Sequence, residues 1–172
     1  MKLETVEDLK ACIVTGMAAI EREDWTVAAS LLDALLARHP GEPVALYLLG
    51  LVNFRQNNWP AAEKFLRKAL AIAPGQAQVA LQLAQTLRAL QRPGEALDLC
   101  RQILAAHPGD VAAWLELGKA QEESGAVAAA EASYRHILAK SGDPAVAINL
   151  AQLLISTDRS VEAEALLRRM LA

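Results

Sequence analysis

Three Pro-Gly dipeptides, Pro40-Gly41, Pro74-Gly75 and Pro108-Gly109, stand 34 residues apart, and that interval governs the rest of the chain. The same step links Ala28, Ala62, Ala96 and Ala130, then Gly16, Gly50, Ala84 and Gly118, and also Trp25 with Trp59. Small residues at two fixed phases with a helix breaker at a third are the mark of a repeat array, in which each unit buries its apolar face against its neighbours.

What fills each period is helical. The chain of 172 residues holds 35 alanines and many leucines, against three tryptophans, two tyrosines and two phenylalanines. Alanine and leucine favour helices, while the β-branched and aromatic residues that favour strands are few. After a Pro-Gly pair, Leu46, Leu49 and Gly50 follow the i, i+3, i+4 spacing of a buried helical stripe. The polar stretch Gln56-Asn57-Asn58 interrupts it, and a second helix starts near Pro60, where the missing N–H costs nothing. Asn58, Asp110 and Asp143 stand just before helix starts, where a short polar side chain accepts a bond from a free backbone N–H. Two helices of about a dozen residues leave no room for a strand.

The small residues at the crossing phases, Gly50, Gly118, Ala62, Ala96 and Ala130, let two helices approach to about 8–10 Å. Leu49, Leu66, Leu117 and Tyr134 then fill the space beside the crossing.

Trp114-x2-Leu117-Gly118-x2-Gln121 with Ala130-x3-Tyr134 resembles the tetratricopeptide signature W-x2-L-G-x2-Y, A-x3-F, P. Leu49-Gly50, Ala62-x3-Leu66 and Pro74 repeat it, as do Leu83-Ala84, Ala96-x3-Cys100 and Pro108. The first unit is weaker, with Thr15-Gly16, Ala28-x3-Leu32 and Pro40, and the fifth, with Leu150-Ala151 and Ala163-x3-Leu167, follows after 33 residues instead of 34. Gly142 takes the place of the fourth unit's terminal proline. The resemblance covers residues 6–172 as a single array, with approximate units 9–42, 43–76, 77–110, 111–143 and 144–172. It implies an all-α fold, an α-solenoid of antiparallel helix pairs (about ten helices) forming a right-handed superhelix.

It also implies a function, since first helices in this family line a concave face that takes an extended peptide or a helix. Carried over by phase, the partner-binding groove comprises Met17, Tyr47, Leu51, Phe54, Arg55, Leu81, Gln85, Arg88, Leu115, Lys119 and Gln152. Ile13, Ile20, Glu122, Ile148 and Ile155 share those phases. Tyr47 and Phe54 serve as apolar anchors, with Arg55, Arg88 and Lys119 to orient the partner. The carboxylate clamp of chaperone-binding members is missing, because Ile13, Met17, Tyr47 and Leu51 stand where it needs Lys and Asn. The asparagine ladder of the glycosylating transferases is missing too, since that phase reads Val14, Leu48, Gln82, Glu116 and Asn149.

The last helix carries Leu166, Leu167, Met170 and Leu171 without the polar outer face that a terminal repeat requires. Those four are expected to support self-association, as a homodimer through the uncapped C-terminal helix, or to continue into a longer protein. The leading expectation is therefore a scaffold or adaptor for a protein or peptide partner. The alternative is an N-terminal substrate- or partner-recognition arm of a larger enzyme, a glycosyltransferase, sulfotransferase or oxygenase, cut at Ala172.

Composition narrows the remaining classes. A net charge of −3 with interspersed signs offers no basic stripe for nucleic acid. No apolar run reaches the ~18 residues of a membrane span, and Met1 to Asp8 carries charges where a signal peptide needs an apolar stretch. A cytoplasmic chain is expected, with a removed leader invisible to this reading. Cys12 and Cys100 are far apart and fit buried core phases. His39 and His107 precede breaker pairs, where a cation suits a helix C-terminus, and no ligand cluster suggests a metal. Glu122 and Glu123 read as solvated charge. Gly118-Lys119 lacks the glycine spacing of a phosphate loop, and no nucleophile elbow occurs, so neither cofactor nor catalysis is expected.

Overall fold

The computed structural model describes residues 6–171, which form ten α-helices and no strand. They pair in chain order as α1 (Val6–Glu21) with α2 (Trp25–Leu36), α3 (Pro43–Arg55) with α4 (Trp59–Ile72), and α5 (Ala77–Ala89) followed by α6 (Pro93–Ala106). Then come α7 (Val111–Glu123) with α8 (Val127–Ser141), and α9 (Pro144–Ser156) with α10 (Ser160–Leu171). The chain divides into two compact units, one ending at Leu90 and one beginning at Gln91, so the division falls inside the third repeat.

Helix starts follow local chemistry. Asp110 accepts the N–H of Ala113 at 2.9 Å and Asp143 that of Ala145 at 2.8 Å. Asp24 and Glu42 cap α2 and α3 in the same way. Asn58 departs from expectation, making no side-chain cap on α4. Its amide nitrogen instead donates to Asn53 Oδ1 at 3.0 Å, because Asn53 lies within reach across the tight turn.

That turn has one shape throughout. Glu23, Asn57, Gln91, Gly125 and Asp158 occupy the same phase, and all take a left-handed backbone with φ of 59°, 59°, 59°, 76° and 60°. After Glu23, Asn57, Gly125 and Asp158 the next N–H reaches back to a carbonyl of the first helix, as in Asn58 to Asn53 at 2.9 Å and Ala126 to Gln121 at 2.8 Å. Only one of the five is glycine, although the conformation costs other residues roughly 1–2 kcal/mol.

Close helix crossings explain the small-residue phase. A Cβ on Gly50 would lie 2.7 Å from Leu66, and one on Gly118 would lie 2.5 Å from the ring of Tyr134. At Gly16 the same atom would meet Leu32 at 3.2 Å. Leu32, Leu66 and Tyr134, the large partners at one phase, are wholly buried. In the first unit Leu32 and Leu35 of α2 share a core with Ala45, Leu48, Leu49 and Val52 of α3. In the second, Tyr134 and Ile137 of α8 share a core with Val146, Leu150 and Leu153 of α9. Cys12 and Cys100 are both buried free thiols, as the core phases imply.

Candidate protein-binding site

In the first unit the first helices of the repeats, α1, α3 and α5, touch in sequence order. Most of the side chains expected to bind a partner lie on them. Met17 on α1 is 45% exposed, and Arg55 at the end of α3 is exposed. Tyr47, Leu51 and Phe54 on α3, with Leu81, Gln85 and Arg88 on α5, are half-buried. Half-burial on a repeat surface is the state an anchor residue needs, since one flank is fixed by packing and the other stays available.

Tyr47 is the most constrained member. It packs on the α1–α3 core, and its hydroxyl shares a hydrogen bond with the side chain of Gln78 on α5. Burial raises its pKa above the usual phenol value, against the smaller opposing effects of Gln78 and the nearby Arg55 cation. The ring is therefore neutral and oriented. Gln78 belongs to this surface although the phases considered from sequence omit it.

The second unit carries the remaining expected residues. Leu115 is half-buried on α7. Lys119 is held at 3.2 Å by Glu116, a carboxylate only 3% exposed, so its charge serves the fold before it can serve a partner. Gln152 is exposed on α9 between Ile148 and Ile155, which are 51% and 54% exposed. Glu122 corrects an expectation. It is not merely solvated charge, because the buried Tyr134 hydroxyl donates to its Oε2 at 2.9 Å. Beside it, Ser133 Oγ donates to Gln121 Oε1 at 2.7 Å.

A second surface lies apart from the expected groove. An open cleft of about 700 Å³ runs between α8 and α10 over Leu150 and Leu154 of α9. Leu166 and Met170 of the expected C-terminal surface line it, half-buried. Leu167, also half-buried, packs on the α8–α9 core, and the side chain of Leu171 lies outside the described residues. Arg135 and Glu162 form an ion pair across the cleft wall, and Glu131 and Arg159 complete a four-membered charge network. The two arginines hold the Glu131 carboxyl below its usual range.

His136 stacks on Trp114 with ring centroids 4.5 Å apart, and its buried Nε2 has no hydrogen-bond partner among the described residues. Among those residues no group of three or more His, Cys, Asp or Glu side chains could hold a metal ion, and no helix is long and apolar enough to cross a membrane.

Comparison with known proteins agrees with this architecture. Family models described as tetratricopeptide repeat match residues 14–77, 77–120 and 144–169. Cellulose synthase operon protein C of Xanthomonas axonopodis pv. citri is 32% identical over 164 residues, which cover 90% of this chain and 11% of that protein. Its namesake from Pseudomonas fluorescens is 31% identical over 156 residues, covering 84% of this chain and 12% of the relative. The chain thus spans about a tenth of the length of the curated relatives it matches. Among solved structures, MamA of Desulfovibrio magneticus RS-1 superposes with a TM-score of 0.84 at 16% identity, covering 95% of this chain and 93% of that one. A thermophilic TPR protein of Thermus thermophilus gives 0.77 at 22% identity, with 95% and 90% covered. At those identities the likeness is one of fold.

Proposed function

The chain belongs to the tetratricopeptide repeat family, and from that premise we propose that it is a protein-interaction scaffold whose first-helix surface in the α1–α5 unit holds a peptide or helix of a partner. The observation that carries this reading is the group on α3: Tyr47, Leu51 and Phe54, each half-buried, ending at the exposed Arg55. An oriented, neutral phenol beside two apolar neighbours suits an apolar anchor of the partner, and Arg55 suits an acidic residue flanking it. Lys119, tied to Glu116, drops out as a primary contact. No step of this function requires catalysis or a cofactor.

The test is a double Tyr47→Ala, Phe54→Ala variant beside the unaltered chain in affinity capture from native lysate. A specific partner retained by the unaltered chain is expected to be lost by the variant, about a 100-fold weakening if both are anchors of roughly 1–2 kcal/mol. Retention of that partner by a variant of unchanged helicity would overturn the reading.

A second reading is a recognition segment acting within a longer protein. It is favoured by the relatives, in which the matched stretch is about a tenth of the length. Their name ties them to a cellulose synthase operon, and a role in organising a protein assembly of that kind belongs to this reading. The partner captured in the same experiment separates the two.

A further inference from the structure

The cleft between α8 and α10 differs in its side chains from the same place in the second repeat. There α4 carries Lys64 and Phe65, and the Phe65 ring packs on the core that Leu32 and Leu35 of α2 share with Leu49 of α3. At those two phases α10 has Ala165 and Leu166. A leucine reaches less far than a phenyl ring, and an alanine lacks the lysine stem that can lie over an apolar wall. The cleft of about 700 Å³ stays open over Leu150 and Leu154. Its two walls and its floor come from α8, α10 and α9, all inside the unit beginning at Gln91, so it is a gap between neighbouring helices and not the outer side of a terminal one.

Charge says what suits the gap. Glu162, the carboxylate in the lining, is held by Arg135 at 2.5 Å and by Arg159 at 2.6 Å, so neither it nor Arg135 is open to a ligand. Arg169, exposed at the rim, has no ion pair among the described residues, whereas Arg168 beside it is bound to Glu164. An apolar recess edged by one uncommitted guanidinium complements an aromatic ring with a carboxylate next to it.

We propose that this cleft takes an aromatic side chain of a partner peptide flanked by an acidic residue, the ring seated over Leu150 and Leu154 and the carboxylate on Arg169. The ring supplies what Phe65 supplies in the second repeat. This site shares no residue with the α3 group, so either can fail alone.

Methyl NMR of the full chain, titrated into the millimolar range with capped hexapeptides, tests this. A peptide carrying one Glu-Phe pair should shift the methyl signals of Leu154, Leu166 and Met170. A Lys-Phe peptide should need about threefold more for the same shift, and a Glu-Ala peptide should leave them unmoved. Arg169→Gln should bring the Glu-Phe peptide to the level of the Lys-Phe one. Leu166→Phe, which restores the ring of the second repeat, should abolish the response, and Ala165→Gln at an exposed position should do so as well if the first variant disturbs the core. Unchanged methyl signals in the unit ending at Leu90 verify the fold. Absence of any shift with the Glu-Phe peptide would sink the proposal. So would equal binding of the Lys-Phe peptide, or full binding by both filled variants.

Discussion

The second repeat, α3 with α4, and the fourth, α7 with α8, cross their helices at the same phase but use different chemistry. In the second, Gly50 faces Leu66, and the buried residues of α3 are all apolar or glycine. In the fourth, Gly118 faces Tyr134, whose hydroxyl is tied to Glu122, with Ser133 bonded to Gln121 and Glu116 to Lys119 nearby. A leucine can yield by rotating a branch. A buried tyrosine held at both ends cannot. The period fixes the geometry of a crossing, and the residue opposite the glycine decides how rigid it is.

The largest expected effect tests that rigidity. Gly118→Ala should cost about 1–3 kcal/mol, because the added methyl would sit 2.5 Å from a ring with nowhere to go. Gly50→Ala should cost less, since Leu66 can shift from 2.7 Å, and Gly16→Ala, at 3.2 Å from Leu32, should be near neutral once helix propensity offsets the contact. Urea denaturation of the three variants checks the order. Equal costs would mean that the tyrosine is no stiffer than the leucines.

The turn of each repeat extends the comparison. At the left-handed position the second repeat has Asn57 and the fourth has Gly125. Gly125→Ala should therefore lose about 1–2 kcal/mol, while Asn57→Gly should change little, because asparagine tolerates that backbone. Thermal midpoints of the two variants suffice to decide.

The smallest effect concerns charge. Glu63 with Arg67 in α4 and Glu131 with Arg135 in α8 are the same i, i+4 pair, and in the fourth repeat Arg159 joins it at 2.7 Å. Because Glu131 titrates below its unfolded value, its stabilisation is present above the ordinary glutamate range of about 4.3 and is lost as pH falls through the lowered folded value. Glu131→Gln should lower stability near neutrality and converge on the unaltered chain in acid. Parallel pH profiles for the two proteins would remove the network from the account.

Much of this was legible in the residues. The glycine phase located the crossings at Gly16, Gly50 and Gly118, and Asp110, Asp143 and Pro144 marked helix starts by chemistry that acts over three residues. The left-handed turn was less visible, since glutamate at 23 and glutamine at 91 occupy a conformation that sequence reasoning reserves for glycine and asparagine. The hydrogen-bonded turn compels it regardless of residue type. The Tyr134–Glu122 bond, the Gln78 contact to Tyr47 and the α8–α10 cleft escaped notice because each depends on distances between helices, which no local pattern records.

The two cysteines have a use that their chemistry does not advertise. Cys12 lies in the unit ending at Leu90 and Cys100 in the unit beginning at Gln91, both buried. A thiol reagent can reach either only when its surroundings open. Mass-resolved alkylation of the unaltered chain would therefore time the breathing of each half separately, giving two internal clocks without a label being introduced.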